Sequence, residues 1–101
     1  MKEIIVKRDG EKDLRFNGVA LASASSRWVA GQEQTRWTEI TVYQTESGKY
    51  VIAWEFITLW QGEENSYRAK VCEWVTEVVA ELMDDGPEGA FWRMNRRLLY
   101  E

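Results

Sequence analysis

The chain has no histidine, one cysteine and one proline among its 101 residues. Each shortage removes a class of chemistry. Without histidine there is no Ser–His or Cys–His nucleophile pair, no imidazole base and no imidazole metal ligand. The one thiol, Cys72, cannot form an internal disulfide, which agrees with a reducing, cytoplasmic location. No apolar run approaches the roughly 20 residues of a membrane-spanning helix, and the first residues lack the apolar core of a signal peptide. Carboxylates are the catalytic candidates that remain. Glu63-Glu64 and Asp84-Asp85 are the pairs that can act as acid and base or hold a divalent cation. Glu63 and Glu64 read more simply as charge favoured before a helix, and Asp84 and Asp85 as solvated groups at a helix end. Thr45-Glu46-Ser47-Gly48-Lys49 lacks the first glycine and the final hydroxyl of a phosphate loop and falls in a hairpin. No catalytic residue, metal or cofactor is therefore assigned.

What is present is globular in character. The apolar fraction is 45% and the charged fraction 30%, and the length is typical of one domain with its own core. Six tryptophans stand out: Trp28, Trp37, Trp54, Trp60, Trp74 and Trp92. Core burial accounts for some of them, and tryptophan is also enriched at binding hot spots.

Residues 1–60 read as strands and the remainder as helices. Ile4, Ile5 and Val6 build a strand over Lys2–Arg8, followed by the Asp9-Gly10 turn. A second strand over Asp13–Phe16 is expected to end at Asn17-Gly18, a strong hairpin signal, with Val19–Ser26 as the next strand. The small residues Ala20, Ala22 and Ala24 imply that something packs closely there. After a polar loop over Arg27–Thr35, Arg36–Thr45 and Lys49–Ile57 alternate around the Glu46-Ser47-Gly48 turn. Tyr50, Ile52, Trp54 and Phe56 oppose Val51, Ala53, Glu55 and Ile57, so this strand is central and covered on both faces. Beyond residue 64 the apolar period lengthens to about 3.6. A helix is predicted over 65–85, capped by Asn65 or Ser66, with Tyr67, Val71, Trp74 or Val75, Val78 and Leu82 buried. Gly86-Pro87 ends it, and a second helix is predicted over 87–99. The expected fold is α+β, one domain over 1–101. It is a four- to five-stranded antiparallel meander followed by two helices, at least one packed on the sheet.

Charge is unevenly placed. Residues 1–62 are neutral, whereas 63–88 carry a net charge of −6. Glu73, Glu77 and Glu81 recur every four residues, with Asp84, Asp85 and Glu88 beyond. At that spacing carboxylates repel and are separated by roughly 6 Å of helix rise, on the scale of nucleic-acid phosphates. A docking surface for a basic partner is the sharper reading, and a solvated face the plainer one. The same acidity argues against direct nucleic-acid binding through this face. Arg93, Arg96 and Arg97 pair with the acidic helix or contact a partner. Trp28 and Trp60 are secondary candidates for contact.

Leu14-Arg15-Phe16-Asn17-Gly18, Leu21-Ala22, Ser25-Ser26-Arg27-Trp28, Arg36-Trp37-Thr38-Glu39, Tyr43-Gln44-Thr45 and Gly48-Lys49-Tyr50 carry a resemblance over about half of the chain. This stretch, Leu14–Glu64, is similar to small proteins of bacterial mobile elements and phage. The resemblance implies a bacterial or phage origin and a role in conflict between element and host, as for inhibitors of host defence of the anti-CRISPR type. The expectation is thus a non-enzymatic protein-binding module that inhibits or modulates a partner. The partner presents a basic surface, such as that of a nucleic-acid-binding complex, and no membrane is involved. The alternative is a homodimeric assembly protein joined through a tryptophan-rich surface.

Overall fold

The computed structural model describes residues 1–29 and 31–83. Five strands form one antiparallel sheet: β1 (Lys2–Val6), β2 (Leu14–Ser25), β5 (Arg36–Thr45), β6 (Tyr50–Thr58) and β7 (Ser66–Cys72), in the order β1-β2-β5-β6-β7. Between β2 and β5 a two-stranded ribbon, β3 (Trp28–Val29) and β4 (Gln32–Glu33), occupies the region predicted as polar loop. One helix follows, α1 (Val75–Met83). None of the helices among the described residues is long and apolar enough to cross a membrane. The second helix predicted over 87–99 lies outside the described residues.

The β5–β6 hairpin matches its expected alternation. Ile52 and Trp54 join Ile40, Val42, Ala22, Ala24 and Cys72 in the larger core, with Tyr50 and Phe56 packed at its margin. Val51 and Ala53 point the other way, into a smaller core with Val6, flanked by Ile4, Leu14, Phe16 and Tyr43. A bulge lets β2 serve both layers. The register shifts between Ala20, opposite Tyr43, and Ala22, opposite Val42. The extra residue turns the second half of the strand over. Leu14 and Phe16 therefore face the smaller core, and Ala22 and Ala24 the larger. Val78 and Leu82 of α1, both fully buried, complete the larger core, so a helix does pack on the sheet.

Four expectations are corrected, the last of them in part. Asn17-Gly18 is not a hairpin turn. Both residues lie inside β2, opposite Glu3 and Lys2 of β1. Gly18 is required by close backbone approach, since a β-carbon there would collide with the Gln44 carbonyl oxygen. The helix predicted over 65–85 begins only at Val75, and Ser66–Cys72 is the fifth strand. The physical reason is the unfilled edge of β6. Its two apolar faces need a neighbour, and the alternation of Tyr67, Ala69 and Val71 with Arg68, Lys70 and Cys72 supplies one. Asn65 does not cap a helix but accepts a hydrogen bond from the Thr58 amide at 3.0 Å. Of the predicted buried stripe, Val78 and Leu82 are buried as expected, whereas Val71, Trp74 and Val75 are exposed.

The sheet curls. Five flat strands spaced about 4.8 Å apart would hold β1 and β7 roughly 19 Å from each other. Instead the Asp9 amide, just after β1, donates to the Tyr67 carbonyl at 3.1 Å. The Tyr67 amide donates to Asp9 Oδ2 at 2.9 Å. The two outer edges thus meet at one point, and the smaller core lies inside the curl.

Candidate partner-binding surface

Structure divides the acidic row. Glu73 precedes α1, so only Glu77 and Glu81 share its regular spacing. Asp84, Asp85 and Glu88 lie outside the described residues, as do Arg93, Arg96 and Arg97. Relief of charge comes from β7. Lys70 Nζ lies 2.6 Å from Glu81 Oε2, and this hydrogen bond holds the Lys70 ammonium above its ordinary pKa. Among the described residues, Glu73 and Glu77 make no ion pair. Cys72, expected within the helix, is instead the last residue of β7 and fully buried. Burial pushes its thiol pKa up, which disfavours the reactive thiolate.

The tryptophans divide just as clearly. Trp37 and Trp54 are buried, whereas Trp28, Trp60 and Trp74 are 61%, 54% and 66% exposed. Trp92 lies outside the described residues. Trp28 and Trp60 belong to the same end of the sheet. The ribbon carrying Trp28 is tied at its base by the Gln34 amide donating to the Arg27 carbonyl at 2.7 Å. Immediately beyond it, the Leu59 amide donates to the Thr35 carbonyl at 2.9 Å. Trp60 Nε1 donates to Thr35 Oγ1 at 3.0 Å.

Salt bridges and cation–π contacts hold this end in place. The Arg36 guanidinium stands 5.3 Å from the Trp60 ring centroid. It also grips Glu63 in a two-pronged pair, Nε to Oε1 at 2.9 Å and Nη2 to Oε2 at 2.6 Å. The Thr58 hydroxyl donates to Glu63 Oε1 at 2.5 Å and accepts from the Trp60 amide at 3.1 Å. Gly62, with φ of 87°, permits the tight turn that returns Glu63 to Arg36. Hydrogen bonds from Arg36 and then Thr58 pull the Glu63 pKa down to about 2. The same pairing raises that of Arg36. Arg27 is arranged alike, 2.8 Å from Glu33 Oε1 and 4.9 Å above the Trp37 ring. Leu59, Trp60, Thr35 and Gln61 line a shallow cavity of about 260 Å³. Exposed Leu59, at 61%, adds to the apolar area.

Glu63 and Glu64 therefore do not precede a helix, and Glu63 is engaged by Arg36 and Thr58. Among the described residues, no three acidic or thiol side chains cluster to hold a metal ion. Sequence reasoning had named Trp28 and Trp60. It named Glu63 only as a candidate acid or cation ligand and missed Leu59 and Arg36, whose only signal was an apolar pair, Leu59-Trp60, left at a strand end before a glycine turn. No protein-family model matches the chain, and no curated protein or solved structure shows significant similarity to it.

Proposed function

We propose that this protein is a non-enzymatic protein-binding module whose main contact is the Trp28–Leu59–Trp60 end of the sheet. The observation that carries this reading is Trp60. It is more than half exposed yet fixed by a hydrogen bond to Thr35 and by the Arg36 guanidinium. Ordering an exposed aromatic side chain in advance lowers the entropy lost on association, and tryptophan and arginine dominate interface hot spots. The surface suits a protein better than a nucleic acid. Both arginines are paired with carboxylates, and Glu64 adds further negative charge.

The acidic row is a second contact in this proposal, and among the described residues it rests on Glu73 and Glu77, neither of which makes an ion pair there. It suits a basic partner surface, consistent with an inhibitor or modulator of a nucleic-acid-binding complex of the kind that the resemblance to mobile-element proteins implies. The test is a pair of surface variants, Leu59→Ser with Trp60→Ala and Glu73→Lys with Glu77→Lys, compared as bait in a bacterial lysate. Loss of one specific protein from the first bait supports the reading. Sedimentation over a dilution series addresses the homodimeric alternative, which requires a concentration-dependent shift abolished by the first variant.

A further inference from the structure

The curl of the sheet encloses a second feature, separate from the tryptophan end. A cavity of about 310 Å³ lies on the inner face, where β1 approaches β7, lined by Val6, Lys7, Tyr43, Ala53, Glu55 and Tyr67. Its volume is at the lower end for small-molecule sites. A round cavity of that size is about 8 Å across. Its walls carry charge of both signs. The Lys7 ammonium lies 5.4 Å from the Tyr67 ring centroid, and Glu55 is the cross-strand neighbour of Tyr67. Among the described residues neither Lys7 nor Glu55 makes an ion pair, with each other or with any third group. The cavity lining thus offers one cationic and one anionic group, neither of them taken up by a partner among the described residues. Glu55 also stands directly opposite Glu39, and like charges at such positions disfavour the pairing unless a cation comes between them.

We propose that this cavity binds a free α-amino acid with an apolar side chain. Its carboxylate would meet Lys7 and its ammonium Glu55, while the side chain lies against Val6, Ala53 and the Tyr43 ring. Two charge-assisted hydrogen bonds of about 2.8 Å, joined by the short span of an amino-acid backbone, cover a distance of the order of the cavity's width. A ligand with one charge alone would engage only one of the two groups. A single charge therefore binds more weakly, and the site selects zwitterions. The clasp between Asp9 and the Tyr67 backbone holds in place the residue whose ring lies 5.4 Å from the Lys7 ammonium.

The experiment is an amide-resonance titration of the full chain with L-phenylalanine, N-acetyl-L-phenylalanine and L-phenylalaninamide, each to millimolar concentration. The expected result is saturable shifts at Ala53, Glu55 and Tyr67 with L-phenylalanine. The other two compounds, each lacking one charge, should bind at least tenfold more weakly. Lys7→Met and Glu55→Gln, both at exposed positions, should each lower affinity for L-phenylalanine by tenfold or more while keeping a folded spectrum. Absence of saturable shifts overturns the proposal, as do equal shifts with all three compounds or shifts confined to the Trp60 end. The wild-type comparison decides the matter even if a variant fails to fold. Because Trp60 and Leu59 lie outside this cavity, failure here leaves the partner-binding reading standing, and the reverse also holds.

Discussion

Asp9 and Tyr67, 58 residues apart in sequence, exchange two hydrogen bonds that join opposite edges of the sheet. One is donated by the Asp9 amide and the other accepted by its carboxylate. This pairing turns an open five-stranded sheet into a curled one and protects part of the β7 edge from pairing with other chains. Asp9→Ala removes the carboxylate half. The expected loss of stability is about 1–2 kcal/mol, at the charged-acceptor end of the usual range. Chemical denaturation measures it. Hydrogen exchange at the Tyr67 amide should accelerate more than at Ala53, which lies on the interior strand β6.

The position of Asn17 offers a sharper check. In a two-residue hairpin turn a β-branched residue there would be strained, whereas in the middle of an exposed strand it is welcome. Asn17→Thr is expected to stay within about 0.5 kcal/mol of the wild type. A loss well above that would contradict the continuous strand. Gly18→Ala should be severe, at about 1–3 kcal/mol, because backbone must move to admit the methyl group.

Glu63 governs the acid response of the tryptophan end. Its pKa falls from an ordinary 4.5 to about 2 through Arg36 and Thr58. A lowered folded-state pKa means the contribution to stability is complete above the unfolded value and disappears as pH drops towards 2. Both partners are exposed, so the effect on global stability is small. A carboxyl-carbon titration should show a midpoint near 2 for Glu63, rising towards the normal glutamate range in Arg36→Gln while the Thr58 hydrogen bond keeps part of the shift. An unchanged midpoint in that variant would remove Arg36 as the cause.

Cys72 should be inert in the folded protein. It is fully buried and its thiol pKa is raised by burial. Thiol reagents should label it only at the rate of unfolding, so that labelling tracks denaturant concentration. Rapid stoichiometric labelling under native conditions would show that the strand end opens. Leu82→Ala, which empties the same core from the helix side, should cost about 2–5 kcal/mol.

Much of this architecture was legible in the sequence, and the failures have physical causes. The β5–β6 hairpin was readable because both faces of Tyr50–Thr58 are apolar and its turn residues are unambiguous. The β7 strand was not, because Tyr67 and Val71 happen to extend backwards the helical spacing of Val75, Val78 and Leu82, which do lie in α1. Only the need of β6 for an edge partner distinguishes the two, and that need is tertiary. Asn17-Gly18 misled for the opposite reason. Its local turn preference is strong, but the close approach of Gln44 demands the glycine within a strand. At the candidate surface, Trp28 and Trp60 were visible as surplus aromatics. The Arg36–Glu63 grip depends on a 27-residue separation closed by the sheet register, which no local pattern encodes.

Docking of a partner protein on the Trp28–Leu59–Trp60 end is the property most worth measuring. It is tested most directly by quantitative mass spectrometry of proteins captured from a bacterial lysate by wild type, by Leu59→Ser/Trp60→Ala and by Glu73→Lys/Glu77→Lys, all shown to be folded. Wild type should capture one protein in near-stoichiometric amount, and that protein should be lost from the Leu59/Trp60 variant and bound more weakly, in a salt-dependent way, by the Glu73/Glu77 variant. Equal recovery of that protein on the wild type and the Leu59/Trp60 variant would contradict it.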